Sequence, residues 1–225
     1  FAMTQQIDNP LEWILSKGVM AQAFPLSIDY KNQPTSFHIE GDLSTVSSSF
    51  NKGKKDSPFE NVGIMKDRKV TTIEAKAKYD GPILTLGDIL LDDKEVPAEF
   101  FIPEEELPRW EYLKGSKTEK RINKTTGYEY NYSEGSMAFP DFLDRPSRTI
   151  ITGEGGKGPS RFKHVVYTSN GHYRRLTPLE LERLNMFPDY HTEGVSDMRR
   201  AFLMGNALVT GIVERIGTVL IERMG

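Results

Sequence analysis

The chain has 225 residues, 37% hydrophobic and 27% charged, with 29 bases against 32 acids for a formal net charge of −3. That length and balance exclude a disordered chain and give one or two domains able to bury a core without staples. The absence of cysteine excludes a disulfide framework, a thiolate metal site, an iron–sulfur cluster and a cysteine nucleophile within this chain.

The first residue is Phe1, so Phe1-Ala2 reads as an internal start or a cloning remnant. Asn9-Pro10-Leu11-Glu12-Trp13-Ile14-Leu15 reads as a short helix with Pro10 at its first position, stopped by Gly18. Residues 24–50 read as irregular strands and loops, with a polar stretch over Ser44–Ser49, and Asn51–Ser57 reads as a charged turn. Val70–Ile73 and Ile83–Leu86 are expected strands, and Gly87–Leu91 a short helical turn.

Charge is segregated beyond that point. Residues 85–113 hold nine acids against two bases, a net of −7, and residues 114–175 hold twelve bases against six acids, a net of +6. The pattern can mark a polyanion-binding face, but charge alone favours the plainer reading of two solvated surfaces of opposite sign. Lys117, Lys120, Arg121 and Lys124 precede Tyr128, Tyr130 and Tyr132, whose period of two predicts a strand with tyrosines on one face. Bases interleaved with aromatics suit phosphate contact and base stacking; an ordinary tyrosine ladder fits as well.

Arg148–Thr152 is a β-rich run ending in the glycine-rich Gly153–Arg161, which fits neither a P-loop nor a dinucleotide fingerprint. It reads as a mobile basic loop whose backbone can approach a ligand closely. Thr177-Pro178-Leu179-Glu180 is a capping box opening a helix to about Met186, ended by Phe187-Pro188-Asp189. A second helix begins near Ser196-Asp197 and is interrupted at Gly205-Asn206. A last helix from Ala207 aligns Leu208, Ile212, Ile216, Val219 and Leu220 in one apolar stripe. His38, His164, His172 and His191 are too scattered for a histidine metal site. No run is long enough to cross a bilayer and no signal segment opens the chain. The expectation is a soluble, cytoplasmic protein with no membrane partner.

Three segments resemble the C-terminal part of DNA cytosine-5 methyltransferases. Arg174-Arg175-Leu176-Thr177-Pro178-Leu179-Glu180 through Arg183-Leu184-Asn185-Met186-Phe187-Pro188-Asp189 looks like that family's ninth motif. Met204-Gly205-Asn206-Ala207-Leu208-Val209 looks like its tenth, and Pro146-Ser147-Arg148-Thr149-Ile150 like an element near the end of its target-recognition region. Leu179, Met186 and Leu203 depart from the usual Arg, Gly and Gln. Glu60-Asn61-Val62 copies the family's Glu-Asn-Val motif, but it lies too close to the recognition region and lacks a preceding Pro-Cys.

The resemblance implies an α+β fold: a small mixed-sheet recognition domain with irregular loops, followed by helices that would pack on a missing Rossmann-like catalytic domain. Residues 1–40 would connect from that domain, 41–195 form the recognition domain, and 196–225 return to it. In the family a cysteine thiolate adds to C6 of a flipped-out cytosine, and S-adenosyl-L-methionine gives its methyl to C5. Without cysteine this chain would be inactive alone, its catalytic half lying in cis or in trans. Its partner would be double-stranded DNA in a restriction–modification setting. Implied DNA contacts are Lys117, Lys120, Arg121 and Lys124 on phosphates, Arg148, Thr149, Thr152 and Arg161 in the groove, and Arg174 on a phosphate and the recognition region. Asn206 and Ala207 would line part of the cofactor pocket. The rivals are a separate specificity subunit of a split methyltransferase and an unrelated soluble interaction domain.

Overall fold

A computed structural model describes residues 7–29, 31–49, 58–79 and 81–225. Phe1-Ala2-Met3 and the charged turn Asn51–Ser57 lie outside them. The chain clusters into two compact units: Phe1–Gly81 with Glu214–Gly225, and Pro82–Val213.

In the first unit, α1 (Pro10–Glu12) is capped by Asn9, whose side chain accepts the Glu12 amide. It runs into a π-helical turn, Trp13–Lys17, and Gly18 ends it as expected. The chain re-enters a helix at once as α2 (Val19–Ala23). β1 (Leu26–Ser27) and β2 (Thr35–His38) follow. The serine-rich stretch forms a helix, α3 (Leu43–Ser49), which composition alone argues against. Its start is fixed by Asp42, whose carboxylate accepts the amides of Ser44 and Thr45 at 2.9 and 3.0 Å. β3 (Val62–Lys66) and the expected β4 (Lys69–Ile73) form a hairpin across a two-residue turn. Asp67 and Arg68 both take positive φ there, the geometry that matches strand twist. β5 (Lys76–Ala77) pairs with β1, and β4 sits between β2 and β3. Asn61 clamps this sheet by exchanging hydrogen bonds with the Ala75 backbone at 2.7 and 2.8 Å, which gives the Glu-Asn-Val look-alike a structural use.

The second unit begins with single turns, including the expected one at Gly87–Ile89, then α4 (Leu107–Lys114). β6 (Lys117–Ile122) and β7 (Glu129–Glu134) form a hairpin, and β8 (Val165–Tyr167) pairs with β9 (Tyr173–Arg175). α5 (Pro178–Leu184) carries both halves of the predicted capping box. α6 (Asp197–Asn206) is capped by Ser196 and runs through Gly205-Asn206 rather than breaking there. The break covers 207–209, and α7 (Thr210–Met224) follows. Leu86, Ile89, Val166, Leu176, Leu181, Ala201 and Met204 form this unit's main core.

The α+β expectation agrees with these elements, with one correction. Every strand pair described is antiparallel, and the strands form four separate small sheets, not one mixed sheet. Two expected strands, Ile83–Leu86 and Arg148–Thr152, are absent. Thr85 turns the first into the following helical turn by giving its amide and hydroxyl to Asp88. The second lies under Gly205, where an added Cβ would sit 2.4 Å from the Thr152 nitrogen. The glycine-rich loop is pinned: Gly155 packs on Met198 and Ala201 of α6, and Lys163 Nζ donates to the Gly156 and Gly158 carbonyls. Gly155 serves backbone-to-helix packing inside the protein, whereas a Cβ at Gly158 would meet nothing within 4 Å.

Gly205→Ala should destabilise by about 2 kcal/mol or more, because the methyl meets backbone that cannot yield. Helix propensity alone would give the opposite sign. Gly135→Ala, with nothing within 4 Å, should be near neutral. Chemical denaturation of the two variants measures the difference.

Candidate nucleic-acid interface

The β6–β7 hairpin gathers all four predicted phosphate contacts. Its turn is set by Asn123, whose side chain accepts the Thr125 and Thr126 amides, and by Gly127 at φ +69°. The register pairs Lys117 with Glu134, Glu119 with Tyr132 and Arg121 with Tyr130, which puts these six on one face. Tyr130 and Tyr132 therefore share a face as expected, while Tyr128 lies in the turn. On that face every charged side chain is paired, while Tyr130 stays exposed. The Arg121 guanidinium lies 3.6 Å from the Tyr132 ring centroid and 3.2 Å from Glu119. Lys117 pairs with Glu134 at 3.3 Å, and the Tyr132 hydroxyl donates to Glu134. The Tyr132 hydrogen bond, followed by Lys117 and Arg161, holds the Glu134 carboxyl below its ordinary range despite partial desolvation.

The other face differs. Thr118 and Ser133 bond to each other at 3.1 Å, while exposed Lys120 and Asn131 have no side-chain partner among the described residues. Lys124, in the turn, is also exposed and unpaired among them. Arg161 sits at the base of the hairpin. Its guanidinium donates to the carbonyls of Leu113, Gly115 and Gly135 and to Glu134, which fastens both strands to α4.

Beneath the glycine loop lies a buried charge network. Asp141 accepts Arg148 Nε at 2.7 Å and the Val165 amide at 2.8 Å, with Lys114 Nζ at 3.6 Å. Burial would raise the Asp141 carboxyl, but these donors and charges outweigh it and hold it below the usual range. Burial pushes the Lys114 ammonium down, against the pull of Asp141. His164 is fully buried, with Nδ1 2.8 Å from Glu154 and Nε2 3.0 Å from Ser147. Arg148 is thus held by a carboxylate, whereas Thr149 and Thr152 are exposed.

Arg174 is fully buried, and its guanidinium bonds Glu180 at 2.8 and 3.0 Å, Asp93 at 3.3 Å and the Leu91 carbonyl at 3.3 Å. It has no surface left to offer a phosphate in this conformation. A cleft of about 390 Å³ is lined by Ser147, Arg148, Thr149, Asn185, Met186 and Ala207, among others. Ala207 therefore shares this cleft with Arg148 and Thr149, while Asn206 is exposed and donates to the Phe202 carbonyl. Met186, where the family often has glycine, takes φ +60° and lies against Gly211.

Sequence reasoning missed Asn131, Lys114, Asp141 and the Arg183–Asp189 fork at 2.6 and 2.8 Å. The fork was findable, since both residues sit in the motif-like run. Lys114 and Asp141 carry no local signal, because their pairing is purely tertiary. Among the described residues no group of acids and histidines is placed to hold a metal, and no single helix is long and apolar enough to cross a membrane.

A two-stranded ribbon, with its charged groups paired on one face and Lys120 and Asn131 unpaired among the described residues on the other, is fastened to a small α+β core. The family model for C-5 cytosine-specific DNA methylase matches residues 31–222, and the chain belongs to that family. It is 39% identical over 213 residues to the Type II methyltransferase M.Sau3AI of Staphylococcus aureus, a match covering 93% of this chain. The chain spans about half (48%) of that relative's length. No solved structure matches.

A carboxylate whose folded pKa lies below its unfolded value adds stability that is complete above the unfolded pKa and is lost as pH falls through the folded one. Asp141, Asp93 and Glu182 are all lowered in this way. Stability should therefore fall steeply below about pH 4, the unfolded range of such groups. Asp141→Asn should flatten that fall and lower stability at neutral pH, as read by denaturant midpoints across pH.

Proposed function

We propose that this chain is the target-recognition and C-terminal part of a type II DNA (cytosine-5-)-methyltransferase that modifies a flipped-out cytosine in a specific duplex sequence, within a restriction–modification system. The observation that carries this reading is a cysteine-free chain that belongs to the C-5 methylase family and spans half of a methyltransferase relative. The chemistry of the family needs a thiolate on C6, and this chain offers none. The nucleophile must come from a catalytic part, in cis or in trans. S-adenosyl-L-methionine supplies the methyl group to that complete site.

Residues 41–195 serve recognition, 1–40 link to the catalytic part, and 196–225 return toward it. Met198, Phe202, Leu203, Leu208, Ile212 and Val213 are exposed on α6, the break and the start of α7. An apolar set of this kind suits packing on that part. Ala207, half-buried at the cleft, and exposed Asn206 fit the edge of a cofactor pocket and no more, since they bring neither a carboxylate for a ribose nor a glycine-rich turn. On the DNA side, the unpaired ammonium groups of Lys120 and Lys124 are the best placed of the expected contacts. Lys117, Arg121, Arg148 and Arg161 are held by carboxylates and position the backbone around them, with Thr149 and Thr152 exposed beside them. Arg174 acts from inside, holding the loop of Leu91–Asp93 to α5.

The purified chain should bind duplex DNA with a strong inverse dependence on salt and transfer no methyl group alone. Lys124→Ala should weaken binding evenly across sequences and reduce the slope of log affinity against log salt by about 0.9. Fluorescence anisotropy over a salt series reads both. Methyl transfer should appear on adding a polypeptide that carries the family's Pro-Cys motif; failure to bind any duplex would overturn the reading.

A further inference from the structure

The two faces of the β6–β7 ribbon are not equivalent, and the difference points to which one meets the bases. The face of Lys117, Glu119, Arg121, Tyr130, Tyr132 and Glu134 spends its charge on itself through ion pairs and a guanidinium stacked on a ring. Offering these groups to DNA would break contacts already made. The opposite face carries three cross-strand pairs: Thr118–Ser133, Lys120–Asn131 and Ile122–Glu129. All six residues are exposed, and Lys120, Asn131 and Glu129 have no side-chain partner among the described residues.

We infer that this second face enters the major groove and reads base edges, with Asn131 and Lys120 as the specificity-determining pair. The inference rests on the proposed recognition role and refines it: Lys120 moves from phosphate contact to base contact. Three observations carry it.

The first is shape. A two-stranded antiparallel ribbon is one of the two elements that a major groove admits. This one has no neighbouring strand on either edge among the described residues. An isolated hairpin is marginal by itself, and Arg161 supplies the anchorage at its base. The tip is left free to be inserted.

The second is chemistry. Asn can bond adenine at N6 and N7, Lys can bond guanine at O6 and N7, Glu accepts from cytosine N4, Thr and Ser adapt to either partner, and an aliphatic side chain suits the thymine methyl. All of these types occur on the free face. The ion pairs and the guanidinium stacked on a ring are confined to the other face. Asn131 carries no charge, so nothing about it serves phosphate neutralisation.

The third is spacing. Residues on one face of a strand recur about every 6.8 Å, which is about two base-pair rises of 3.4 Å. Laid along the groove, the three pairs would cover about five base pairs, with Lys124 at the turn reaching the flanking backbone.

The test selects preferred duplexes from a randomised pool with the intact chain, then measures affinity for the preferred and an unrelated duplex. Wild-type chain should return a short preferred sequence. Asn131→Ala should lose roughly ten-fold discrimination at one or two adjacent positions while keeping its affinity for unrelated DNA. Asn131→Asp should change the base preferred there, an outcome that misfolding cannot produce. Lys120→Ala should relax a position next to the one that Asn131 sets. Unaltered preferences in all three variants would overturn the inference. A wild-type chain that binds all duplexes alike would overturn it while leaving the DNA-binding role standing. A chain that binds no duplex would remove both.

Discussion

One buried guanidinium organises the second unit. Arg174 lies in the middle of β9, and its partner Glu180 is the third residue of α5. The same carboxylate that receives Arg174 also receives the Thr177 amide at 2.7 Å, closing the capping box, and the Leu91 amide at 2.9 Å. A strand, a helix start and a loop from much earlier in the chain are thus tied to a single side chain. Two charges so deeply buried are costly to desolvate, and the cost is met only because nearly every donor and acceptor around them is used. Such a cluster specifies one arrangement rather than adding much net stability. It sets the position of β8–β9, and through Val165 and Asp141 it fixes the Lys114 end of α4, from which the hairpin rises.

The most readable parts of the sequence were those whose signals are local. The capping box at Thr177–Glu180, the cap at Ser196 and the strand at Val70–Ile73 need only neighbouring residues. So do the tyrosine alternation and the turn at Gly87–Ile89. What was not readable depends on partners far along the chain. Arg148–Thr152 has strand-forming residues but lies against Gly205, so no ladder can form. The glycine-rich loop looked mobile because its stitching by Lys163 and its packing on α6 are tertiary. α3 was hidden by serines, although Asp42 at its cap was a usable sign. The family-like run at Arg174–Asp189 was visible, but the inward placement of Arg174 was not.

Charge shows the same lesson at the level of the site. The net of +6 over residues 114–175 left open a polyanion-binding face and an ordinary solvated surface. In the folded unit Lys114, Lys163, Arg174 and Arg175 are buried, and Arg148 and Arg161 are held by carboxylates. The acidic half supplies part of that compensation, through Asp93 to Arg174 and Glu99 to Lys157. Net charge per segment therefore overstated what is free to meet a polyanion. The remainder is small and localised, with Lys120 and Lys124 at the end of an exposed ribbon.

Amide hydrogen exchange of the chain with and without duplex DNA tests the central claim most directly, because it locates the contact without choosing a residue in advance. The account predicts new protection over residues 117–134, strongest at the turn around Lys124, with the already buried β8–β9 and α5 amides unchanged. Protection confined to other segments, with the ribbon exchanging as freely as before, would contradict it.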